Sequence, residues 1–216
     1  VNINAGINFQ NTHQTFTLDI NVYSNNIRNF IYQQPQPDRP VLTIAGAFPL
    51  IEYKQTDAVL SGVDVAASYK ITPRFEWNPK LSVLYAWNKS TKDWLIWMPA
   101  NRVSNELVFN FQDKKAFANS YLSVEVANVM QQKRIPGETN GKQDYKLPPA
   151  GYTLVSLNAS STITLFKTPV TFSVGVRNAL NTVYRDYLNS MRYFTDEMGR
   201  NVHVRLKVPL ENLHHH

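Results

Sequence analysis

The sequence predicts an all-β chain whose antiparallel strands run up and down in chain order. Apolar side chains recur at every second position in about nine segments, which is the period of a β-strand. Short and long connections alternate between these segments. No segment of comparable length keeps the i, i+3, i+4, i+7 spacing of an amphipathic helix. The 216 residues are enough for one large β domain and do not require two.

Each predicted strand carries apolar side chains on one face and polar side chains on the other, because successive residues of a strand point to opposite sides. The last strand shows this most fully. Val202, Val204 and Leu206 share one face, and His203 and Arg205 share the other. The predicted strands lie at residues 1–10, 14–32, 52–70, 81–87, 106–111, 122–126, 155–160, 170–177 and 201–210.

The connections fall into two length classes that alternate along the chain. The short ones lie at residues 11–13, 71–79, 112–116 and 163–169. The long ones lie at residues 33–51, 90–100, 131–149 and 181–199. In a meander, alternate connections lie at the same end of the sheet. The sequence therefore predicts tight turns at one end and large loops at the other, as in outer-membrane barrels.

Two architectures are compatible with two-sided strands. A soluble β-sandwich buries the apolar faces in a protein core, whereas a transmembrane barrel turns them to lipid and lines a wet interior with the polar faces. The segregated loops favour the barrel, since a Greek-key sandwich is not expected to separate loop lengths in this way. A charged fraction of 18% is also below the roughly one quarter of an ordinary soluble domain.

Aromatic residues cluster near both ends of the strands, as the interfacial belts of a membrane protein do. The simpler interpretation is that aromatic residues favour strands in general. The belt predicted at the long-loop end comprises Tyr23, Phe30, Tyr32, Tyr53, Trp87, Trp94, Trp97 and Tyr152. The belt predicted at the short-turn end comprises Phe9, Tyr69, Phe75, Trp77, Phe111, Phe117, Phe166 and Phe172.

Composition argues against several classes of protein. The formal charge of +6 comes from scattered Lys and Arg, so a nucleic-acid partner is not expected. The chain contains no Cys, and thus no disulfide or thiolate metal site. We find no catalytic triad, phosphate loop or spaced metal cluster, and we predict no enzyme activity, cofactor or metal site. No run approaches the about 18 apolar residues of a membrane helix, and the first residues already alternate like a strand rather than a signal peptide.

Five ordered motifs resemble TonB-dependent outer-membrane receptors, in particular the group that takes up metals, haem and siderophores. The two at the C-terminal side read P-P-A-G-Y-T-L-V-S-L at 148–157 and V-G-V-R-N-A-L-N-T-V-Y-R-D-Y-L-N at 174–189. The earlier ones read L-D-I-N-V-Y-S-N-N-I-R-N-F-I-Y at 18–32, T-D-A-V-L-S-G-V-D-V-A-A-S-Y at 56–69, and W-M-P-A-N-R-V at 97–103. The resemblance covers the chain apart from the tag-like tail at 211–216.

The resemblance implies a fold and a function. Residues 1–210 would be the C-terminal portion of a 22-stranded transmembrane barrel, with the remaining strands, the N-terminal plug and its TonB box absent from this sequence. The expected function is uptake of an iron–siderophore, haem or another metal complex across the outer membrane of a Gram-negative bacterium, driven by the TonB complex. The partners would be outer-membrane lipid, TonB and a small metal complex. The family's last strand usually ends in an aromatic residue, whereas Pro209 and Leu210 end this one.

Two other classes remain open on the sequence. A passive porin or adhesin-type barrel would share the strand pattern, and a soluble β-sandwich module would need a protein core for its apolar faces. The candidate ligand contacts all lie in predicted outer loops or at their rim. They are Arg102, Glu138, Asp144, Tyr184, Arg185, Asp186, Arg192 and Tyr193. For each, ordering the loop is the simpler role, and the polar-face His203 is more simply a hydrogen-bonded lumen residue than a metal ligand.

Overall fold

A computed structural model describes residues 1–137, 143–165 and 168–209. Twelve strands and one short 3-10 helix make up the regular structure of these residues. The strands are β1 (Asn2–Gln10), β2 (Phe16–Pro35), β3 (Val41–Thr43), β4 (Gly46–Phe48), β5 (Ile51–Lys70), β6 (Phe75–Asn88), β7 (Asp93–Trp94), β8 (Arg102–Asn110), β9 (Phe117–Val129), β10 (Tyr152–Leu165), β11 (Thr168–Arg177) and β12 (Asn201–Lys207).

One antiparallel sheet contains all the long strands, in the order β1-β2-β5-β6-β8-β9-β10-β11-β12. Strand β7 adds a short pairing to β6, and β3 and β4 form a separate hairpin. The predicted up-and-down meander is confirmed. Among the described strands β1 and β12 each have a single neighbour, so the sheet is open. Leu210, the last residue of the predicted final strand, lies outside the described ranges.

The two classes of connection lie at opposite ends of the sheet, as predicted. The short turns occupy residues 11–15, 71–74 and 111–116 and the link from Leu165 to Thr168. The long loops occupy residues 36–50, 89–101, 130–151 and 178–200. We name these four the first to the fourth loop. No helix within the described ranges is long and apolar enough to cross a membrane.

Several predicted strand boundaries are wrong: β8, β9 and β10 are each longer than predicted, and the largest difference is at the start of β6. The connection expected at 71–79 is a turn of four residues, and β6 begins at Phe75. The prolines suggested a break, but Pro79 lies within the strand and pairs with Asn105 of β8. On its other side the β5–β6 ladder pairs Ala66 with Lys80 and then resumes only at Tyr69 with Trp77. Proline has no N–H to donate, and the interrupted ladder accommodates that loss.

The two faces of the sheet differ in polarity. Side chains from β2, β5, β6, β8, β9 and β10 line one concavity of about 940 Å³, which identifies the concave face. Polar residues such as Asp19, Asp64 and Glu125 lie there. The opposite, convex face exposes apolar residues along every long strand, and Val202 and Val204 of β12 are each 62% exposed. An apolar exterior around a polar interior is the arrangement of a membrane barrel.

An aromatic girdle runs along the convex face near the short turns. Phe9 contacts Phe16, which contacts Tyr69 at a ring distance of 6.3 Å. Further along, the rings of Phe75 and Phe109 lie 4.8 Å apart. The belt prediction is wrong for Tyr23, which shares the concave face with Asn21 and lies against Gly62, and for Tyr152, which lines the concavity. It is also wrong for Phe30 and Tyr32, which pack against a cluster of buried side chains. Phe166 of the same prediction lies outside the described residues.

Candidate functional site

The long loops place the predicted ligand-contact residues at one end of the concave face. Arg102 begins β8 and lines the concavity with Tyr184 and Asp186 of the fourth loop. Asp144 belongs to the third loop, and the remaining described candidates, Arg185, Arg192 and Tyr193, belong to the fourth. Glu138 lies outside the described residues. Apart from Glu138, the structure brings the candidates to one end of the sheet.

A buried ion pair joins the third and fourth loops. The Arg192 guanidinium pairs with the Asp144 carboxylate, and the two side chains are only 4% and 7% exposed. The Tyr193 hydroxyl donates to Asp144 Oδ1, and the Trp97 indole donates to Asp144 Oδ2 at 2.9 Å. The guanidinium also lies over the rings of Tyr187 and Tyr193, at 4.9 and 4.8 Å from their centroids. We name these five residues the loop hub.

The polar groups of the loop hub are well matched. Both Asp144 oxygens accept hydrogen bonds from neighbours, which offsets the cost of removing a carboxylate from water. Burial raises the pKa of Tyr187 to about 12, and burial followed by the hydrogen bond to Asp144 raises the pKa of Tyr193. Both phenols therefore stay protonated at neutral pH.

The first loop reaches the loop hub through Tyr145. Its hydroxyl donates to the carbonyl oxygen of Gln36 at 2.7 Å and accepts from the Leu50 N–H at 2.9 Å. These two groups lie at the base of the β3–β4 hairpin. The Tyr145 ring meets Tyr193 edge to face at 6.4 Å. Since Trp97 lies in the second loop, contacts through the loop hub connect all four long loops.

A second cluster lies where the fourth loop turns over the concave face. The Tyr152 hydroxyl donates to Asp186 Oδ2 at 2.6 Å, and the rings of Tyr152 and Tyr184 are 4.3 Å apart. Burial, then the nearby carboxylates of Glu197 and Asp186, raise the pKa of Tyr184. Arg102 opens onto the same concavity. The cluster presents aromatic faces and one exposed cation to this space.

Arg185 makes two contacts within the fourth loop. Its Nε donates to Asp196 at 2.5 Å, and its Nη1 donates to the carbonyl oxygen of Arg192 at 2.7 Å. The Arg185–Asp196 pair is more exposed than the pair in the loop hub. Because Arg192 and Asp144 already bind each other, they are less accessible than Arg102. Whether any of these residues contacts a ligand stays a prediction.

Three residues that hold the site together were not among the predicted site residues. Tyr187, Tyr145 and Trp97 are structural partners of the predicted residues, but their contacts join loops that are distant in sequence. The one local sign is the density of aromatic residues in the loops. Among the described residues no group of three or more His, Asp or Glu side chains is placed to hold a metal ion.

The polar interior contains a pair of facing carboxylates. Glu106 of β8 lies directly opposite Glu125 of β9 in the ladder. Asn78 of β6 lies opposite Glu106, and its Oδ1 is buried without a hydrogen-bond partner in the described part of the chain. Like charges directly opposite each other destabilise a sheet. A cation entering the concavity would relieve this repulsion.

His203 lies on the concave face, as its alternation predicts. It pairs with Gly175 in the β11–β12 ladder. Its imidazole covers that glycine, and a Cβ there would meet the ring as well as Asn158 Oδ1 at 2.7 Å. The glycine provides the room that the ring occupies. This packing explains His203 without a metal.

A family model described as "TonB dependent receptor-like, beta-barrel" matches residues 1–179. A search of curated protein sequences finds no match.

Solved structures of larger barrels are similar in fold. The copper transporter OprC superposes with a TM-score of 0.73 and 19% identity, covering 95% of this chain and 30% of that chain. The FrpB iron transporter from Neisseria meningitidis gives 0.63 and 15%, covering 94% and 30%. BauA, the ferric preacinetobactin receptor from Acinetobacter baumannii, gives 0.64 and 14%, covering 96% and 29%. The chain thus spans less than a third of the length of these relatives.

Proposed function

The chain belongs to the family of TonB-dependent receptor β-barrels, and from this membership we propose that it forms part of an outer-membrane receptor for a scarce metal complex. The cargo is an iron–siderophore, haem or another metal complex, and TonB supplies the energy for its uptake. In this proposal the convex face meets outer-membrane lipid and the concave face lines a plugged lumen. The similar structures include a copper transporter, an iron transporter and a ferric preacinetobactin receptor, which supports this class of cargo.

The observation that carries the proposal is the convergence of the four long loops at one end of a polar concavity. Asp144 and Arg192 hold the third and fourth loops together, and Trp97 and Tyr145 add the second and first. Loops fixed in this way form a vestibule before the lumen, and binding sites placed on a rigid scaffold are typical of receptors.

We assign the most direct ligand contacts to Arg102, Tyr184 and Asp186, which line the concavity. Arg102 suits an anionic complex, and Tyr184 offers an aromatic face to planar ligand groups. Arg185, Asp144, Arg192 and Tyr193 contact the ligand where the vestibule opens, or hold the loops that do. Glu138 remains a proposed contact of the third loop.

A plug inside the lumen fits the charge of the concave face. Glu106 and Glu125 lie opposite each other in the β8–β9 ladder, and a Lys or Arg of the plug would compensate their charges. TonB would act on this plug. The facing carboxylates therefore support a filled lumen more than an open passive pore.

The test uses the full-length receptor in cells that lack competing receptors. Uptake of radiolabelled iron supplied as ferric siderophores or haem, and of radiolabelled copper complexes, is measured with TonB present and with TonB deleted. We expect saturable uptake of one cargo class that is lost without TonB. Uptake that is linear in concentration and unaffected by TonB deletion would instead identify a passive pore.

Variants of Arg102 test whether the cargo binds in the concavity. Arg102→Gln should weaken binding of the active cargo by about tenfold, because a charge-assisted contact to an anion is lost. Arg74→Gln, at the short-turn end of the sheet, is the matched control and should bind normally. If the two variants bind the cargo equally well, Arg102 does not contact it, and the uptake result still stands.

A further inference from the structure

One column of the convex face changes chemical character step by step toward the long loops. Along β6 the outward residues are Val83, Tyr85 and Trp87, because Ser82 faces the concavity and sides alternate. The ladder continues past the strand end, since the Lys89 N–H donates to the Asp57 carbonyl oxygen. Lys89 therefore also faces outward. Aliphatic, phenol, indole and ammonium groups succeed one another, which is the order from hydrocarbon to headgroup level.

A cation lies over the Tyr85 ring of this column. The guanidinium of Arg134, from the third loop, is 4.5 Å from the centroid of the Tyr85 ring. Trp94 packs edge to face against Trp87 at 5.1 Å and contacts Tyr85 at 6.2 Å. We name Tyr85, Trp87, Lys89, Trp94 and Arg134 the rim platform.

The charge of Arg134 has only neutral partners among the described residues. Its Nη2 donates to Asn101 Oδ1 at 2.5 Å, and its other contact is the Tyr85 ring. The two acids next to other platform residues each accept a backbone N–H. Asp93, which precedes Trp94, accepts from Gly137 at 2.7 Å, and Asp57, opposite Lys89, accepts from Asn29 at 3.1 Å. Within the described part of the chain, the remaining N–H groups of the guanidinium have no partner and can bind an anion.

The side chain of Gln132, two residues earlier in the chain, fixes the position of the Arg134 backbone. The preceding Gln132 is buried, and its amide donates to the carbonyl oxygens of Met98 and Pro99, each at 2.9 Å. The same side chain accepts from the Arg134 N–H at 2.9 Å. A pre-ordered cation binds an anion with less loss of side-chain entropy.

We propose that the rim platform binds the phosphate of a lipid headgroup in the leaflet that meets the long loops. Arg134 and Lys89 contact the phosphate oxygens, and Tyr85, Trp87 and Trp94 pack against the glycerol or sugar and upper acyl region below it. A planar guanidinium suits phosphate geometry. A lipid fits better than free phosphate because Arg134 lies over the Tyr85 ring, which belongs to the apolar convex face. The inference depends on the proposed membrane placement but not on uptake or its cargo.

The test titrates the full-length receptor in neutral detergent with dioctanoyl phosphatidic acid, following tryptophan fluorescence. We expect saturable binding that Arg134→Gln weakens by about tenfold and Lys89→Gln by about threefold. Arg74→Gln removes a cation from the opposite end of the sheet and should leave the affinity unchanged. Tyr85→Leu preserves an apolar side chain but removes the cation–π contact, and should also weaken binding.

Two further titrants distinguish the sources of the signal. Dioctanoyl glycerol, which lacks phosphate, should bind much more weakly than the phosphatidic acid. Inorganic phosphate, which lacks the acyl region, should bind weakly too. Equal binding of dioctanoyl glycerol, tight binding of inorganic phosphate, or unchanged affinity in both Arg134→Gln and Lys89→Gln would overturn the proposal. None of these results would alter TonB-dependent uptake, so the two proposals fail separately.

Discussion

Arg192 and Asp144 form a buried ion pair between two long loops that meet at the end of the sheet. The pair is surrounded by aromatic rings and receives hydrogen bonds from Trp97 and Tyr193. Since each charge is removed from water, each depends on its partner. The organisation of the loops therefore depends on this one contact more than on any exposed pair.

Asp144→Asn should loosen the loop hub because it leaves the Arg192 charge buried without compensation. We expect the local opening free energy of the fourth loop to fall by about 3–5 kcal/mol. Hydrogen exchange of that loop in the full-length receptor measures this change. Asp196→Asn is the matched control, because its pair with Arg185 is considerably exposed and should contribute at most about 1 kcal/mol. Equal effects of the two substitutions would show that the loop hub has no special role.

The loop hub should lose stability at alkaline pH. Burial raises the pKa of Tyr187 from 10.0 to about 12, so the folded loop holds this proton more tightly than the unfolded chain does. The resulting stability is complete below about pH 10 and is lost as the pH rises through about 12, by at most about 1.4 kcal/mol per pH unit. Tyrosinate absorbance should reveal late-titrating phenols, of which Tyr187→Phe removes one. If the phenol that Tyr187→Phe removes instead titrates near pH 10, the prediction is contradicted.

Gly62 makes room for the Tyr23 ring on the concave face. A Cβ at this position would meet the ring, and would also lie 2.6 Å from the Val83 carbonyl oxygen. We expect Gly62→Ala to lower the free energy of unfolding by about 1–3 kcal/mol through overpacking. At Gly6 the nearest atom, the Ile20 carbonyl oxygen, is 3.8 Å away, so Gly6→Ala should be nearly neutral. Urea unfolding of the full-length receptor in vesicles compares them.

Neighbouring residues of β10 should respond differently to a new charge. Leu157 is on the convex face, whereas Ser156 lines the concavity opposite Glu125. Leu157→Arg should cost about 2–4 kcal/mol if it lies near the bilayer midplane. Ser156→Arg gains a carboxylate partner and should be tolerated within about 1 kcal/mol. The same urea unfolding measurement applies, and equal costs would argue against a wet concave face.

The nine long strands and the direction of their side chains were predictable because the period of two is a local property of the sequence. The short strands β3, β4 and β7 were not, since they lie in segments expected to be loops. Val202 and Val204 turn outward and His203 turns inward, as their alternation requires. Loop lengths also placed the turns at the correct ends. The start of β6 was not predictable from its prolines, since Pro79 is accommodated by a local gap in pairing with β5. Proline chemistry suggested a break that the neighbouring ladder compensates.

The candidate site was predicted in location but not in its contacts. The Arg192–Asp144 pair joins residues of two different loops, and no periodic pattern encodes such a contact. Tyr23 was placed in a belt because aromatic residues favour interfaces, yet Gly62 on the next strand opens an inward position for its ring. In both cases the deciding partner is distant in sequence.

The convex face is expected to meet lipid and the concave face to meet the lumen, and spin labels on the two faces of β12 test this most directly. The chain contains no Cys. Once any cysteines elsewhere in the full-length receptor are replaced, a single cysteine introduced at Val204 or His203 carries a nitroxide label at one known position. Labelled full-length receptor in vesicles is examined by electron paramagnetic resonance with oxygen, which concentrates in lipid, and with a water-soluble nickel chelate. We predict that the label at 204 is relaxed by oxygen and protected from nickel, and that the label at 203 shows the opposite balance or protection from both. A label at 204 that nickel reaches freely, or that neither reagent reaches, would contradict the membrane barrel.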